Sequence, residues 1–102
     1  MSTENPKHIE KQIETLKTRL AGTGPMRPGT LTVQYRDPAQ RRHPFNQLSY
    51  THQAKSRSDY IRPEHVAAVR REIAEYKRFR MRIDKLVALS IQASRGRMAR
   101  SR

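Results

Sequence analysis

The chain has 102 residues, 34% of them hydrophobic and none of them Trp or Cys, and its 22 Lys plus Arg against 9 Asp plus Glu give a formal net charge of +13. This length fits one small domain with a thin core, and the missing cysteines exclude disulfides and thiolate metal sites. The charge favours a polyanion, nucleic acid first, over a small-molecule substrate. With no secretory leader and no apolar run of about 20 residues, we expect a cytoplasmic protein without membrane attachment.

Residues 1–21 predict an N-terminal amphipathic helix. Asn5 suits the N-cap, Pro6 suits the first helical position, and the pattern ends near Gly22. Its aliphatic residues recur at steps of four, three and four: Ile9, Ile13, Leu16 and Leu20. So narrow a seam fits a helix that rests on the core or on a symmetry mate, and it motivates the prediction of a homodimer.

A linker at residues 22–29, with three glycines and two prolines, separates this helix from a predicted sheet. Residues 30–36 alternate in polarity, which is typical of a half-buried strand. After a polar loop, residues 45–51 and 56–62 predict the two arms of a hairpin joined through residues 52–55. Neither Asn-Gly nor Gly-Gly marks that turn, so the sequence leaves its type and register open.

Residues 62–95 predict one long helix, because apolar residues recur there at steps of three and four. Pro63 and Glu64 suit its start, and Arg95 and Gly96 suit its end. Residues 96–102 are then a disordered basic tail. The predicted fold is therefore α+β: a short N-terminal helix, a three-stranded antiparallel sheet and a long C-terminal helix, with residues 30–95 as the domain, followed by the tail.

The run FNQLSYTHQAKSRSDYI at residues 45–61, with Pro63-Glu64 and the later Tyr76-Lys77-Arg78-Phe79, resembles a family of small uncharacterised basic bacterial proteins. The resemblance implies a Tyr-rich hairpin followed by a long basic helix, and a location near mobile-element genes, but no established activity. Many members carry a cysteine cluster between the first strand and the hairpin, which this chain lacks. Ala54 replaces the glycine that members usually place before the lysine of the turn.

Catalytic and metal-binding patterns are missing from the sequence. The four histidines, His8, His43, His52 and His65, do not have the spacing of metal ligands. The acids of the long helix lie among basic residues, where Glu75 with Arg78 and Asp84 with Arg80 suit surface ion pairs better than paired catalytic carboxylates. Neither phosphate-binding glycine motif is present. We therefore expect neither an enzyme nor a cofactor.

Cations interleaved with hydroxyl and aromatic residues indicate a function more clearly than the histidines and acids do. This mixture suits a nucleic-acid surface. The predicted contact residues are Arg41, Arg42, Lys55, Arg57, Arg62, Arg70, Arg71, Arg78 and Arg82. Tyr50 and Tyr60 are either stacking rings or ordinary core residues. The functional hypothesis is a protein that binds the phosphate backbone of nucleic acid, DNA slightly favoured over RNA, through the hairpin and one helix face. The alternative is a structural or adaptor subunit that assembles through its helices in a dimer or in a larger protein or ribonucleoprotein complex.

Overall fold

The computed structural model describes residues 5–100 and confirms the α+β fold, with a short helix, a three-stranded antiparallel sheet and a long C-terminal helix. In chain order the elements are α1 (Pro6–Ala21), β1 (Thr30–Asp37), β2 (Arg42–His52), β3 (Lys55–Ile61), a 3-10 turn (Pro63–His65) and α2 (Val66–Arg100). Among the described residues, no helix combines the length and the apolar character that a membrane crossing needs.

Helix α1 begins and ends where its sequence predicts. The Asn5 side chain accepts a hydrogen bond of 2.8 Å from the Lys7 backbone N–H, and Pro6 is the first helical residue. At the other end, the Gly22 N–H donates to the carbonyls of Thr18 and Arg19. These bonds satisfy groups that helix ends otherwise leave without partners.

The sheet has the order β1-β2-β3, with β2 in the centre. Leu48 pairs with Leu31 on β1 and with Asp59 on β3, and both pairings keep a constant register along the strands. His52 pairs with Lys55, so only two residues form the β2–β3 turn, Gln53 at φ 52° and Ala54 at φ 62°. Positive φ at both central residues defines a type I′ turn. The turn is therefore tight although it contains no glycine.

The chain divides into two compact units, and α2 contributes to both. The sheet unit comprises Gly24–Lys77, and the helical unit combines Met1–Thr23 with Arg78–Arg102. In the sheet unit, the buried core consists of Leu48, Ile61 and Val69. Partly buried residues that pack against it are Leu31, Tyr50, Val66 and Ile73. The start of α2 therefore covers one side of the sheet.

In the helical unit, α1 packs against the later part of α2. The buried residues are Ile9, Leu16 and Leu89, and Ile13, Leu86 and Ala93 pack against them. The aliphatic seam of α1 thus finds its partner within the same chain. The sequence pattern could not distinguish this partner from a symmetry mate, and the seam no longer supports the prediction of a dimer.

The boundaries of the long helix and its tail need correction. Residues 62–65 lie outside α2, because Pro63–His65 form a 3-10 turn. Residues 96–100, which were predicted as a disordered tail, continue α2 to Arg100. Gly96 costs only about 1 kcal/mol in a helix, and the neighbouring Met, Ala and Arg favour helix while Ala93 is anchored on the α1 core. Residues 101–102 of the predicted tail lie outside the described residues.

Candidate nucleic-acid interface

The two faces of the sheet have different surroundings. Successive residues of a strand point to opposite faces, so the buried Leu48 and its strand-mates Leu31, Tyr50 and Ile61 define a covered face. We name the opposite side the open face. Its residues are Thr30, Thr32, Gln34 and Arg36 on β1, Phe45, Gln47, Ser49 and Thr51 on β2, and Ser56, Ser58 and Tyr60 on β3.

The register arranges the open face in rows across the strands. One row joins Thr30, Ser49 and Ser58, and the next joins Thr32, Gln47 and Tyr60. Within β1, the Gln34 side-chain Nε2 donates to Thr32 Oγ1 at 3.0 Å. Every open-face residue is among those the structure describes, and none of them is acidic. The face therefore presents neutral hydroxyl and amide groups without a negative charge.

The two tyrosines of the hairpin lie on opposite faces of the sheet. One of them is therefore a core residue, and the other is an exposed ring. Tyr50 packs against the core of the covered face. Tyr60 lies on the open face with 59% of its surface exposed, and its ring centroid is 6.2 Å from that of Phe45 at an interplanar angle of 51°. Tyr50 is thus a core residue, whereas Tyr60 is available to a ligand.

Exposed cations lie at both ends of β2. Arg36, Arg41 and Arg42 surround the β1–β2 loop, and Lys55 and Arg57 follow the β2–β3 turn. Because β2 has 11 residues, the two groups are separated by about 33 Å along the strand. Five positive charges therefore lie at the two ends of the sheet. Of the strand residues among them, Arg36 lies on the open face, whereas Arg42, Lys55 and Arg57 leave their strands on the side of the covered face.

The structure separates residues that the sequence analysis grouped as one surface. Arg57 pairs with Tyr50, so its side chain leaves β3 on the side of the covered face, while Ser56 and Ser58 point to the other side. Arg57 is nevertheless exposed, because it lies near the hairpin turn, away from the buried centre of the sheet. Hydroxyls and cations of β3 consequently lie on different sides of the same strand.

The remaining predicted contact residues lie outside the strands. Arg62 is exposed just before the 3-10 turn, and Arg70 and Arg71 are exposed in the first turns of α2. These three belong to the sheet unit, whereas Arg78 and the half-buried Arg82 belong to the helical unit. The predicted contact residues are therefore divided between the two units.

Arg27 is a residue of the sheet unit whose contacts the sequence pattern did not predict. Its Nη2 donates to Asp59 Oδ2 at 2.7 Å, and its guanidinium carbon lies 4.9 Å from the centroid of the Tyr50 ring. The hydrogen bond to Asp59 raises the pKa of Arg27, against a smaller opposing effect of burial. Arg27 and Asp59 are 32 positions apart in the sequence, so no local pattern predicts their ion pair. The pair neutralises the carboxylate that would otherwise repel a polyanion from β3.

The linker is held against α2 by its backbone. The Gly24 N–H donates to Glu75 Oε2 at 2.8 Å, and the Arg27 N–H donates to the Glu72 carbonyl at 3.1 Å. Glu75 thus accepts a hydrogen bond from the linker, a role that its position on the helix did not predict. These bonds position the Arg27 side chain over β3.

Among residues 5–100, no group of three His, Asp or Glu side chains could hold a metal ion. Comparisons with protein-family models, curated proteins and solved structures find no match to this chain. The resemblance to the basic bacterial family therefore stays a prediction.

Proposed function

We propose that this protein binds nucleic acid, mainly through the phosphate backbone, and that the sheet unit carries the contact surface. The observation that supports this best is the open face itself, which has no acidic residue and has exposed cations at both ends of β2. A cytoplasmic location fits this activity.

The charge distribution of the sheet unit supplies the physical reason. Lys and Arg near phosphates release condensed counterions, and this release provides most of the affinity of non-specific binding. Of the acids in the strands, Asp59 is paired with Arg27, and Asp37 lies at the end of β1 opposite Arg42. Hydroxyl groups on the open face add phosphate hydrogen bonds without adding charge.

The experiment is a binding titration of a fluorescent 20-base-pair duplex at several salt concentrations, with Lys55→Ala/Arg57→Ala as the test variant. Both side chains are exposed, so the fold should persist. Binding should weaken, and the slope of log affinity against log salt should become shallower by up to about 2.

Lys7→Ala/Lys11→Ala is the matched control, because it removes the same charge from exposed positions on α1. The control should change the slope less than the hairpin variant does. A folded hairpin variant with unchanged affinity and unchanged slope would contradict the proposed contact surface.

The adaptor function is the second candidate, and one observation in the helical unit favours it. Val87 and Ile91 lie one turn apart on α2 with 54% and 48% of their surfaces exposed, and Met98, two turns further on, is 64% exposed. Large apolar side chains on a helix surface are typical of protein contacts. An acidic polypeptide that competes with the duplex more strongly than unlabelled DNA does would favour this function over nucleic-acid binding.

A further inference from the structure

The open face carries more kinds of hydrogen-bonding group than phosphate binding requires. Phosphate oxygens only accept hydrogen bonds, so cations and donors suffice for them. The open face instead presents hydroxyls and two amides, Gln34 and Gln47, which can both donate and accept. Base edges in a groove offer acceptors and donors side by side. This composition therefore matches base edges better than it matches a phosphate chain.

The dimensions of the sheet restrict which groove it can enter. Neighbouring strands lie about 4.8 Å apart, so the outer strands of this three-stranded sheet are about 10 Å apart. The major groove of B-DNA is about 12 Å wide and its minor groove about 6 Å. The major groove of duplex RNA is too deep and narrow for side chains to read. The major groove of DNA is the one that accommodates this face.

The aromatic residues argue against a single-stranded ligand. Single strands are held chiefly by successive bases stacked on exposed rings. Phe45 is half-buried and tilted by 51° against Tyr60, so the pair does not offer two parallel surfaces. An exposed ring edge and a phenylalanine instead suit apolar contact with a thymine methyl group, which lies in the major groove.

We propose that the open face enters the major groove of duplex DNA and contacts base edges there, with Gln34 and Gln47 as its amide donors and acceptors. This inference rests on the proposed function, because phosphates that border the groove would be met by exposed cations at the ends of the sheet, first of all Arg36 on the open face and Arg41 in the β1–β2 loop. Arg27 contributes from the covered face by neutralising Asp59.

The first test blocks the major groove and the minor groove of a DNA duplex separately. The full chain is titrated with a 20-base-pair duplex, with the same duplex carrying glucosylated hydroxymethylcytosine in place of cytosine, and with the unmodified duplex saturated with netropsin. Glucose in the major groove should weaken binding about tenfold or more, and netropsin in the minor groove should change it less than about threefold.

The outcomes separate this inference from the proposed function. Equal binding to plain and glucosylated DNA, or tighter binding to duplex RNA or single strands, overturns major-groove entry and leaves nucleic-acid binding intact. No salt-sensitive binding to any nucleic acid overturns both.

A second test places a negative charge on the open face. Ser58→Glu changes an exposed open-face residue on β3, at the end of the row that it forms with Ser49 and Thr30, and Ser90→Glu is the matched control at an exposed position of α2. Ser58→Glu should weaken duplex binding about tenfold or more beyond the control, because a carboxylate there faces base acceptors and phosphates. Thr51→Glu, also exposed on the open face, replaces it if circular dichroism shows unfolding. Equal effects of the open-face and control substitutions overturn the inference.

Discussion

The covered and open faces of the sheet alternate residue by residue along the same strands, yet they differ in almost every property. The covered face contains Leu48, which has no exposed surface, and it packs on α2. The open face contains neutral polar groups and the exposed Tyr60. Under the proposed function, the difference teaches that stability and binding depend on neighbouring positions of the same strands. Substitutions at the buried centre of the covered face should therefore lower stability without a direct effect on binding.

The largest effect is expected at the centre of the covered face. Leu48→Ala should lower the free energy of unfolding by about 2–5 kcal/mol, because it opens a cavity in a fully buried site. Val33→Ala is the matched control, since Val33 shares that side of the sheet but is 53% exposed. It should cost less than about 1 kcal/mol. Urea denaturation measures both, and similar losses would mean that burial is not what distinguishes the two positions.

An intermediate effect is expected from Arg27, which links the linker to the covered face. Arg27→Ala removes a partly exposed ion pair with Asp59 and a contact with the Tyr50 ring, so stability should fall by about 1–2 kcal/mol. Arg36→Ala, at an exposed position of the open face, should change stability by less than about 0.5 kcal/mol.

In the duplex titration the order of the two variants should be reversed: Arg36→Ala should weaken binding directly, and Arg27→Ala only indirectly. Arg36→Ala loses a cation next to the ligand, whereas Arg27→Ala acts through the uncovered charge of Asp59. Adding Asp59→Asn to Arg27→Ala should therefore restore binding without restoring the lost packing on Tyr50. If the double variant binds no better than Arg27→Ala alone, the neutralising role of Arg27 is wrong.

The sequence was sufficient for the parts of the fold that depend on local patterns. The caps at Asn5 and Gly22, the helical stripes and the alternation in β1 each follow from the chemistry of nearby residues. The partner of the α1 seam was not predictable, because an apolar stripe does not specify what covers it. The helical residues 96–100 were missed because the α1 core, which packs on Ala93, is distant in sequence.

The candidate site was harder to predict, because it depends on register. A slip of one residue in a strand exchanges its two faces, and no turn motif in the sequence determined the register of β2 and β3. The hydroxyls and cations of residues 55–58 therefore looked like one surface, although the register divides them. Arg27 was missed for the same reason, since only the paired strands bring Asp59 and Tyr50 within its reach.

The smallest effect is expected at the turn that sets this register. Ala54 adopts φ 62°, a left-handed conformation that costs an alanine about 1–2 kcal/mol and a glycine little, while glycine loses about 0.5–1 kcal/mol more entropy on folding. Ala54→Gly should thus stabilise the protein by about 0.5–1 kcal/mol and raise the melting temperature by about 2–8 °C.

Ala39→Gly, in the β1–β2 loop at a residue without positive φ, is the control and should destabilise slightly. Because Ala54 belongs to neither face of the sheet, Ala54→Gly should leave duplex affinity and its salt dependence unchanged. A change in affinity at constant charge would mean that the turn itself contacts the ligand. A fall in melting temperature would mean that the turn does not have the type I′ geometry on which the assignment of the two faces depends.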